Sequence, residues 1–529
     1  MEKGYLAFIL HAHLPFVRHP EHESFLEESW FYEGVIETYI PLIIMLNRLL
    51  EDKVDFKITL SLSPTLLAMF EDELLNIRLE KKIKSLIELS EKEIWRNKDD
   101  SHLAPLARMY NEMYCEFLKI YSDRYHHRLI NAFKEFDRTA NIELITCGAT
   151  HGYLPLMELY PQAARAQIEV AVNSYKNIFG HIPKGIWLPE CGYYPGLDSI
   201  LKDAGIRYFI LDTHGILFGE PRPRFGVYNP YLCKSGVAVF GRDVESSKAV
   251  WSAIEGYPGD FNYREFYRDI GYDLDYDYIK SYLNGDGTRI ATGIKYHKIT
   301  GKGDYKEYYN PQIARETVNN HAGNFVFNRV KQIEYLHREV GRKPIVVAPY
   351  DAELFGHWWF EGIEWLGCVI RKTAADQNVF KLTTPAEYLS FYQDYQVISP
   401  ALSSWGWKGY SEVWLDGSND WIYSHLHKIA ERLIGFANKF PRATGDLEKA
   451  LNHLARELLL AQSSDWPFMM KTNACADYAT QRVKDHIYAF NKLYSMIEGN
   501  NIDQRWLNKR IAQYNLFPSI DYRIYQNKL

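Results

Sequence analysis

The amino-acid sequence predicts an α/β barrel with additional helical regions. Eight short apolar runs alternate with stretches of helical pattern, and strands that alternate with helices form parallel sheets. Two of these runs end on a carboxylate beside a tryptophan, at the position where α/β barrels carry their catalytic groups. The chain after the last run has the periodicity of helices alone. Together these observations predict a closed barrel of seven or eight strands, followed by a helical region.

The predicted strands are short, apolar and bounded by turn residues or by charged helices. In chain order they cover residues 5–10, 56–62, 142–146, 185–189, 208–212, 237–240, 345–350 and 380–383.

Three further regions are predicted around these strands. A charge-rich stretch between the second and third strands, about 64–138, predicts a helical insertion. Cleft loops are expected at about 218–310, within a catalytic barrel that spans 1–402. Residues 403–529, with strong helical periodicity at 447–460, are expected to form an all-helical C-terminal domain that contributes to the substrate cleft.

The composition agrees with a large enzyme that acts on an uncharged substrate. A chain of 529 residues exceeds one ordinary domain and can bury an ample core. The formal net charge of −6, without a basic cluster, argues against nucleic acid or an anionic membrane as a partner. Aromatic residues make up 15% of the chain, and the excess over a normal core suits carbohydrate surfaces.

The cysteines and the N-terminus give weaker indications. The 6 cysteines are scattered without a C-x-x-C spacing, so neither a zinc knuckle nor a redox motif is predicted. The N-terminal apolar run is too short for a signal peptide, and no stretch approaches the length of a membrane span. A cytoplasmic protein is therefore expected.

The segment 349–359 carries the strongest chemical signal. An apolar strand leads directly into Asp351 and Glu353, followed by the paired indoles of Trp358 and Trp359. Cleavage of an acetal needs one carboxylic acid to protonate the leaving oxygen and a second carboxylate to meet the oxocarbenium-like carbon. Aromatic rings stack on the C–H faces of sugars. This segment therefore predicts sugar chemistry and requires a second carboxylate elsewhere.

Glu190 is the best candidate for that second carboxylate. It follows the short apolar run at 185–189, close to Trp187 and a glycine turn. Each carboxylate alone could equally cap the helix that follows it. The two segments share the same pattern and several nearby aromatic residues, and this joint occurrence favours a catalytic pair over two caps.

Five segments of the chain resemble glycoside hydrolase family 57, and most closely its 1,4-α-glucan branching enzymes. They are His-Ala-His-Leu-Pro at 11–15, Gly-Ala-Thr-His-Gly-Tyr-Leu-Pro at 148–155, Trp-Leu-Pro-Glu-Cys-Gly-Tyr at 187–193, the segment 349–359, and Ser-Ser-Trp-Gly at 403–406 with Glu-Val-Trp-Leu at 412–415. The resemblance covers nearly the whole chain and implies an incomplete seven-stranded (β/α)7 barrel. It also implies that Glu190 is the nucleophile, that Asp351 is the general acid/base, and that neither a metal nor another cofactor is needed.

The resemblance further implies an α-1,4-glucan as the substrate; the oligomeric state stays open. The residues expected to bind substrate are His11, His13, His151, Arg242, Asp243, Arg268, Gly285, His357, Trp358, Trp405, Trp414 and Asp465. For several of these residues a structural role is nearly as well supported: Asp465 could cap a helix, and Arg268 could form a salt bridge within its loop. Arg242 could instead pair with Glu190. In the Pro-rich segment 221–231, Tyr228 and Tyr231 are expected to belong to a lid, although the same residues could form an ordinary connection.

The sequence is also compatible with several alternatives. Glu353 is a rival for the acid role, because in extended chain it shares the side of Asp351. An α-amylase or a 4-α-glucanotransferase would use the same site. The strand-end histidines form a legitimate metal-ligand set, which keeps a metal-dependent polysaccharide deacetylase or a zinc α-mannosidase as chemical competitors. A catalytically silent glucan-binding protein is the last alternative.

Overall fold

The computed structural model describes residues 2–252, 254–283 and 287–527 of the chain. The strands of this described part are β1 Gly4–Ala12, β2 Ile58–Leu62, β3 Ile142–Thr146, β4 Gly185–Ile186, β5 Tyr208–Leu211, β6 Tyr231–Leu232, β7 Ala238–Gly241, β8 Ile345–Asp351 and β9 Phe380–Leu382.

The α-helices of the described residues fall between these strands and after the last of them. They are α1 Ser29–Glu33, α2 Ile40–Glu51, α3 Pro64–Glu71, α4 Glu73–Arg96, α5 Leu103–Lys119, α6 Ile130–Phe136, α7 Pro161–Phe179, α8 Leu197–Asp203, α9 Thr213–Leu217, α10 Val244–Trp251, α11 Ile270–Asp273, α12 Tyr276–Ile279, α13 Pro311–Val340, α14 Gly362–Ala375, α15 Pro385–Leu389, α16 Trp421–Lys439, α17 Gly445–Ala461, α18 Asp465–Thr472, α19 Ala476–Glu498 and α20 Gln504–Gln513. None of them is both long enough and apolar enough to cross a bilayer.

Seven parallel strands form the curled sheet at the centre of the molecule. Their order is β7-β5-β4-β3-β2-β1-β8, with β1 buried along its whole length. The strands are buried on both faces, by helices on the outside and by a cluster of their own side chains inside the barrel, and such strands form continuous apolar runs that are visible in the sequence. The predicted incomplete seven-stranded barrel is confirmed. The short strand β9 pairs with the start of β1.

The sheet does not close by regular pairing between β7 and β8, so the closed barrel predicted from the strand pattern is wrong. Single hydrogen bonds cross the gap instead: Asp243 N donates to Val347 O at 2.9 Å, and Ile345 N donates to Tyr228 O at 3.0 Å. The antiparallel strand β6, which the sequence analysis did not predict, pairs with β7 on this side. Its two residues are too few to give a periodic signal.

The helical regions lie where the sequence predicted them. Helices α3 to α6 form the insertion between β2 and β3, and α16 to α20 follow the barrel. The later helices pack around a buried ionic cluster in which Glu457 accepts hydrogen bonds from Arg510 Nε and His486 Nδ1, each at 2.7 Å. The junction between α17 and α18 reaches back to the barrel, because Ser464 N donates to His151 O at 2.9 Å.

Candidate active site

The carboxyl ends of the parallel strands bring the candidate catalytic residues together. In the register of β1 with its two neighbours, His11 lies opposite both Ser61 of β2 and Asp351 of β8. Glu190 follows β4 by four residues, and His151 lies in the loop after β3. Side chains that are far apart in the sequence therefore meet at one end of the barrel, as expected for an α/β barrel enzyme.

Glu190 is held on both of its carboxylate oxygens. Trp405 Nε1 donates to Oε2 at 2.9 Å, and Ser464 Oγ donates to Oε1 at 3.0 Å. The backbone of Glu190 has φ +61° and ψ 22°, in the left-handed region that non-glycine residues rarely adopt. Two donors and a constrained backbone fix the carboxylate in one orientation. This is the arrangement that an attacking nucleophile requires.

Asp351 ends β8 and has a different environment. Among the described residues, none donates a hydrogen bond to the carboxyl group of Asp351. Burial is the main reason why the pKa of Asp351 lies well above its usual value, and the negative charges of Glu353 and Glu190 raise it further. A carboxyl group that keeps its proton near neutral pH suits a general acid.

Glu353, the rival for the acid role, is occupied by the protein itself. Its Oε1 accepts hydrogen bonds from Tyr39 OH and, at 3.1 Å, from His13 N. Burial raises the pKa of Glu353, while the hydrogen bond from Tyr39 lowers it. Asp351 has no such donors. The geometry therefore favours Asp351 as the proton donor, with Glu353 as the charge that keeps Asp351 protonated.

The two main carboxyl groups are electrostatically coupled. Burial raises the pKa of Glu190 as well, but the hydrogen bonds from Trp405 and Ser464 lower it again, and the charge of Asp465 raises it. When two nearby carboxyl groups compete, the first proton goes to the one without donors. We therefore expect Asp351 to be protonated while Glu190 is ionised.

The three strand-end histidines form a stacked group beside Glu190. The rings of His13 and His151 lie 3.8 Å apart between centroids, and His11 stacks on Trp187 at 5.0 Å. Both ring nitrogens of His11 and both of His151 have partners within the protein. His13 differs: its Nε2 lies 3.1 Å from Asp465 Oδ2, and its Nδ1 is buried without a partner among the described residues.

The same histidines account for the metal-ligand pattern in the sequence. Two groups, His11 with Cys147 and His151, and His13 with His151 and Asp465, bring their ligand atoms within 4.8 Å of one another. The nitrogens that would bind the metal already hydrogen-bond to each other, to Ser464 and to Asp465. Burial lowers the pKa of His11 and of His151 well below its usual value, so both are neutral. The geometry matches a hydrogen-bonded histidine cluster.

Asp465 lies at the start of α18 and faces this cluster. Burial would raise its pKa, but the charge and the hydrogen bond of His13 lower the pKa of Asp465 to about 2. Ser463 Oγ also donates to it. Asp465 is therefore a fixed negative charge next to His13, and it reaches the site from the part of the chain that follows the barrel.

The structure places four other predicted residues in contacts within the protein. Arg242 donates to Asp212 at 3.0 Å and to Ser247 at 2.9 Å, rather than to Glu190. The other three also contact protein groups. Asp243 is buried and caps α10, Arg268 pairs with Asp273 in its loop, and His357 lies 2.5 Å from Glu37. Gly285 lies outside the described residues. Substrate contacts of these residues stay predictions.

His357 is held by a close approach of two backbone segments. Glu37 belongs to a π-helical turn, Gly34–Tyr39, that also carries Tyr39. A Cβ atom at Gly356, where φ is +97°, would lie 1.9 Å from the carbonyl oxygen of Glu37, so only glycine fits there. Burial lowers the pKa of His357, but its hydrogen bond to Glu37 raises it above the usual value overall.

Tyr228 and Tyr231 lie in the wall of the barrel. Tyr231 is buried in β6, and its hydroxyl group donates to Gly226 O at 2.8 Å. The hydroxyl group of Tyr228 donates to Asp243 at 3.2 Å. Their hydrogen bonds therefore do not lead to Glu190 or Asp351, and a lid role for the two tyrosines stays a prediction.

The predicted tryptophans differ in their exposure. Trp405 contacts Glu190 directly, as described above. Trp414 is only 1% exposed and stacks on Tyr153 at 4.3 Å, so its ring is part of a local core. Trp358 is 56% exposed and stacks on Phe266 at 4.7 Å. Of these three rings, Trp358 is the one with a broad open surface.

Trp358 lines an open aromatic groove. This aromatic groove has a volume of about 700 Å³ and is lined by Trp251, Phe261, Phe266, Tyr267, Leu354 and Trp358, among others. A second cavity of about 400 Å³ is lined by Asp212, Arg242 and again Trp251. Trp251 contacts Trp405 edge to face at 5.7 Å. Trp251 therefore lines both cavities and contacts Trp405, the residue that donates a hydrogen bond to Glu190.

Several site residues were not found by sequence reasoning. Ser61, Ser464, Tyr39 and Trp251 hold or surround the carboxylates, yet none belongs to a motif of the sequence. Ser61 lies within a predicted strand, where a single serine fits the usual alternation of polar and apolar residues and gives no sign of a functional role. For Ser464, its place beside Asp465 is the one signal in the sequence that points to the site.

Comparisons with known proteins agree with this geometry. The model of glycosyl hydrolase family 57 matches residues 7–348, and that of the 1,4-alpha-glucan branching enzyme C-terminal region matches residues 425–525. A 1,4-alpha-glucan branching enzyme from Thermococcus kodakarensis is 34% identical over 525 residues, which cover 93% of this chain and 73% of that protein.

Two solved structures are similar over essentially their full length. A novel alpha-amylase from Thermotoga maritima has a TM-score of 0.94 and 42% identity, and the match covers 99% of each chain. A GH57-type branching enzyme from Pyrococcus horikoshii has a TM-score of 0.89 and 32% identity, with 100% of this chain and 97% of that chain covered.

Proposed function

Because this chain belongs to glycosyl hydrolase family 57, we propose that it is a retaining 1,4-α-glucan branching enzyme that cleaves α-1,4 linkages and forms α-1,6 linkages. The observation that supports the chemistry best is the contrast between the two carboxyl groups. Glu190 accepts two hydrogen bonds, whereas the carboxyl group of Asp351 faces it without a donor among the described residues. The likeness to branching enzymes in both the barrel and the C-terminal region supports the specific reaction.

The reaction proceeds in two steps. Glu190 attacks the anomeric carbon of an α-1,4-glucan while Asp351 protonates the leaving oxygen, and a covalent glycosyl-enzyme forms. Asp351, now ionised, removes the proton from the incoming 6-hydroxyl group as that hydroxyl attacks the same carbon. Two displacements at one carbon retain its configuration, and the proton returns to Asp351.

The competition between water and a sugar hydroxyl decides between hydrolysis and transfer. Transfer needs space for two glucan chains next to the same covalent intermediate. The aromatic groove and the smaller cavity beside Arg242 are both lined by Trp251, which contacts Trp405. We assign the glucan that is cleaved and the glucan that accepts the transferred segment to these two spaces. The open ring of Trp358 provides a stacking surface for one of them.

An α-amylase is the second candidate function. It is favoured by one observation, the 42% identity to the alpha-amylase from Thermotoga maritima. A hydrolase would use the same carboxyl groups, with water in place of the acceptor hydroxyl group. The proposal keeps the cytoplasmic location and the α-1,4-glucan substrate that were expected from the sequence.

Incubation with long linear amylose separates the two candidates. A debranching enzyme cuts each new α-1,6 linkage and releases its branch as a short chain. These chains are counted in parallel with the new reducing ends. The Glu190→Gln variant serves as the blank. A branching enzyme gives new branches well in excess of new reducing ends, whereas an α-amylase gives reducing ends without branches. The absence of both products would contradict the whole assignment.

A further inference from the structure

Four polar side chains behind the catalytic carboxylates form a continuous series of hydrogen bonds. Ser61 Oγ lies 3.1 Å from His11 Nδ1, and His11 Nε2 lies 2.9 Å from His151 Nε2. His151 Nδ1 lies 2.7 Å from Ser464 Oγ, and Ser464 Oγ lies 3.0 Å from Glu190 Oε1. All four side chains are buried, with exposed fractions between 0% and 4%. We call these four residues, Ser61, His11, His151 and Ser464, the donor chain.

The direction of every hydrogen bond in the donor chain follows from its last member. An ionised Glu190 can only accept, so Ser464 must use its single proton to donate to it. Ser464 then accepts from His151, which places the ring proton of His151 on Nδ1. Because His151 is neutral, its Nε2 has a free lone pair and accepts from His11.

The same argument fixes the first two members. His11 donates to His151 through Nε2, and because His11 is neutral its Nδ1 must accept. The hydroxyl group of Ser61 is the donor at 3.1 Å, in preference to its longer 3.4 Å contact with Thr146 O. All the protons therefore point the same way, from β2 through β1 and the loop after β3 to the α17–α18 junction.

We propose that the donor chain is a positioning device for the nucleophile: it fixes the tautomers of His11 and His151 so that Ser464 always donates to Glu190 and keeps its carboxylate ionised and oriented. Hydrogen bonds that point in one direction polarise one another, so each link strengthens the next. Ser61 thus influences Glu190 without touching it or the substrate. This inference rests on the proposed role of Glu190 as the nucleophile.

The charges around Glu190 explain why such a device is needed. Burial and the charge of Asp465 of α18 oppose its ionisation, and Asp351 of β8 adds a second opposing charge whenever it loses its proton. The favourable contributions to the pKa of Glu190 come from the hydrogen bond of Trp405, then from that of Ser464 and from the charge of His13 at the end of β1. Beyond Trp405, the guanidinium group of Arg242 lies 5.6 Å from the indole ring and is paired with Asp212. A neutral row of donors supplies stabilisation without adding another ionised group to a crowded site.

The donor chain predicts a shift in the pH dependence of the first chemical step. A maltooligosaccharide with a 4-nitrophenyl leaving group is the probe, because its departure needs little help from Asp351. The acid limb of kcat/KM then reports the ionisation of Glu190 in the free enzyme. Ser464→Ala removes a hydrogen bond to a charged group, so we expect the limb to move up by about one to two pH units. Ser61→Ala should move it in the same direction by less.

A matched pair at His11 tests the direction of the chain. The amide of glutamine reaches the position of Nε2 and can still donate to His151, whereas that of asparagine reaches the position of Nδ1 and cannot. His11→Gln should therefore shift the acid limb no further than Ser61→Ala, and His11→Asn should shift it further. A merely structural role for His11 gives no reason for this order.

The outcomes separate the donor chain from the proposed function. Unchanged acid limbs in Ser61→Ala and Ser464→Ala, in variants that melt at the wild-type temperature, would overturn the donor chain while Glu190 remained the nucleophile. Equal shifts in His11→Gln and His11→Asn would overturn it as well. Full activity of Glu190→Gln on the same probe would instead overturn the proposed function.

Discussion

Trp405 makes two hydrogen bonds to Glu190, one from its indole Nε1 to Oε2 and one from its backbone N–H to the carbonyl oxygen, each 2.9 Å long. Trp405 comes from the chain that follows the barrel, whereas Glu190 follows β4. The part of the chain after the barrel therefore completes the environment of Glu190, and Ser464 and Asp465 from the α17–α18 junction contribute to the same site.

The indole donor of Trp405 should be important for catalysis. Trp405→Phe keeps an aromatic ring but removes the hydrogen bond to a carboxylate that must stay ionised. We expect kcat/KM on amylose to fall by about ten- to a hundredfold. Trp506→Phe in α20 also removes a partly buried indole, one that makes no hydrogen bond to Glu190, and is the matched control. Equal activity of the two variants would show that the Trp405 hydrogen bond has no catalytic role.

Asp351 and Glu353 should respond differently to neutralisation. Asp351→Asn removes the proton donor, so attack on amylose should slow by about 10²- to 10⁴-fold, while a substrate with a 4-nitrophenyl leaving group still forms the intermediate. Glu353→Gln can still accept the hydrogen bonds from Tyr39 and His13, and it should retain much more activity on amylose. The reverse order of the two variants would assign the acid role to Glu353.

Glu353 should nevertheless set the alkaline limit of activity. The charges of Glu353 and Glu190, together with burial, raise the pKa of Asp351. Removal of one negative charge lowers that pKa, so Asp351 loses its proton at a lower pH. In Glu353→Gln the alkaline limb of kcat/KM on amylose should therefore move to lower pH, with the acid limb nearly unchanged. A limb that stays in place or moves upward would contradict the coupling of these two carboxyl groups.

Trp358 should bind glucan without taking part in the chemistry. Trp358→Ala removes the open ring of the aromatic groove, and we expect a roughly tenfold higher KM for amylose at nearly constant kcat. Trp95→Ala removes a still more exposed tryptophan, 73% exposed, at the end of α4. This control should leave KM unchanged. If both variants behave like the wild type, the groove does not bind the substrate.

The stability of the C-terminal helices should depend on Glu457. Burial would raise the pKa of Glu457, but hydrogen bonds from His453 and His486 and the charge of Arg510 hold it well below its usual value. Glu457→Gln leaves Arg510 paired with the partly exposed Asp485 alone, so we expect unfolding to become easier by about 2–3 kcal/mol at pH 7. Chemical denaturation of both proteins measures this difference.

The pH dependence of that difference has a defined sign. A lowered pKa in the folded state stabilises the protein above the unfolded-state pKa of glutamate, about 4.3. The stabilisation is lost as the pH falls toward the folded-state value. The gap between wild type and Glu457→Gln should therefore be constant from pH 7 to about pH 5 and shrink below that. A gap that grows on acidification would contradict the ionised state of Glu457.

The strands, and the positions of the two candidate carboxylates at strand ends, could be predicted from the sequence because both depend on local patterns. The eight predicted strands form buried runs of neighbouring residues, and Glu190 and Asp351 each follow such a run directly. The curled seven-stranded arrangement was implied by resemblance, and the pairing order of the strands confirms it. Strand β6 was missed because two residues have no periodicity.

The partners of the catalytic residues could not be predicted in the same way. Ser464 is 274 positions from Glu190, and Trp405 is 215 positions away. Such contacts are set by the packing of helices on the barrel, which a single sequence does not reveal. The same limit applies to Trp414, which was predicted to contact glucan from its motif but is covered by Tyr153.

The most direct test of this account is the identity of the residue that carries the glycosyl group. The Asp351→Asn variant is incubated with an activated maltooligosaccharide, because it should form the intermediate but release it slowly, and its peptides are then examined by mass spectrometry. The account predicts a glycosyl adduct on the peptide that contains Glu190, and no adduct when Glu190 is also changed to Gln. An adduct on Glu353, or one that survives the Glu190→Gln change, would contradict it.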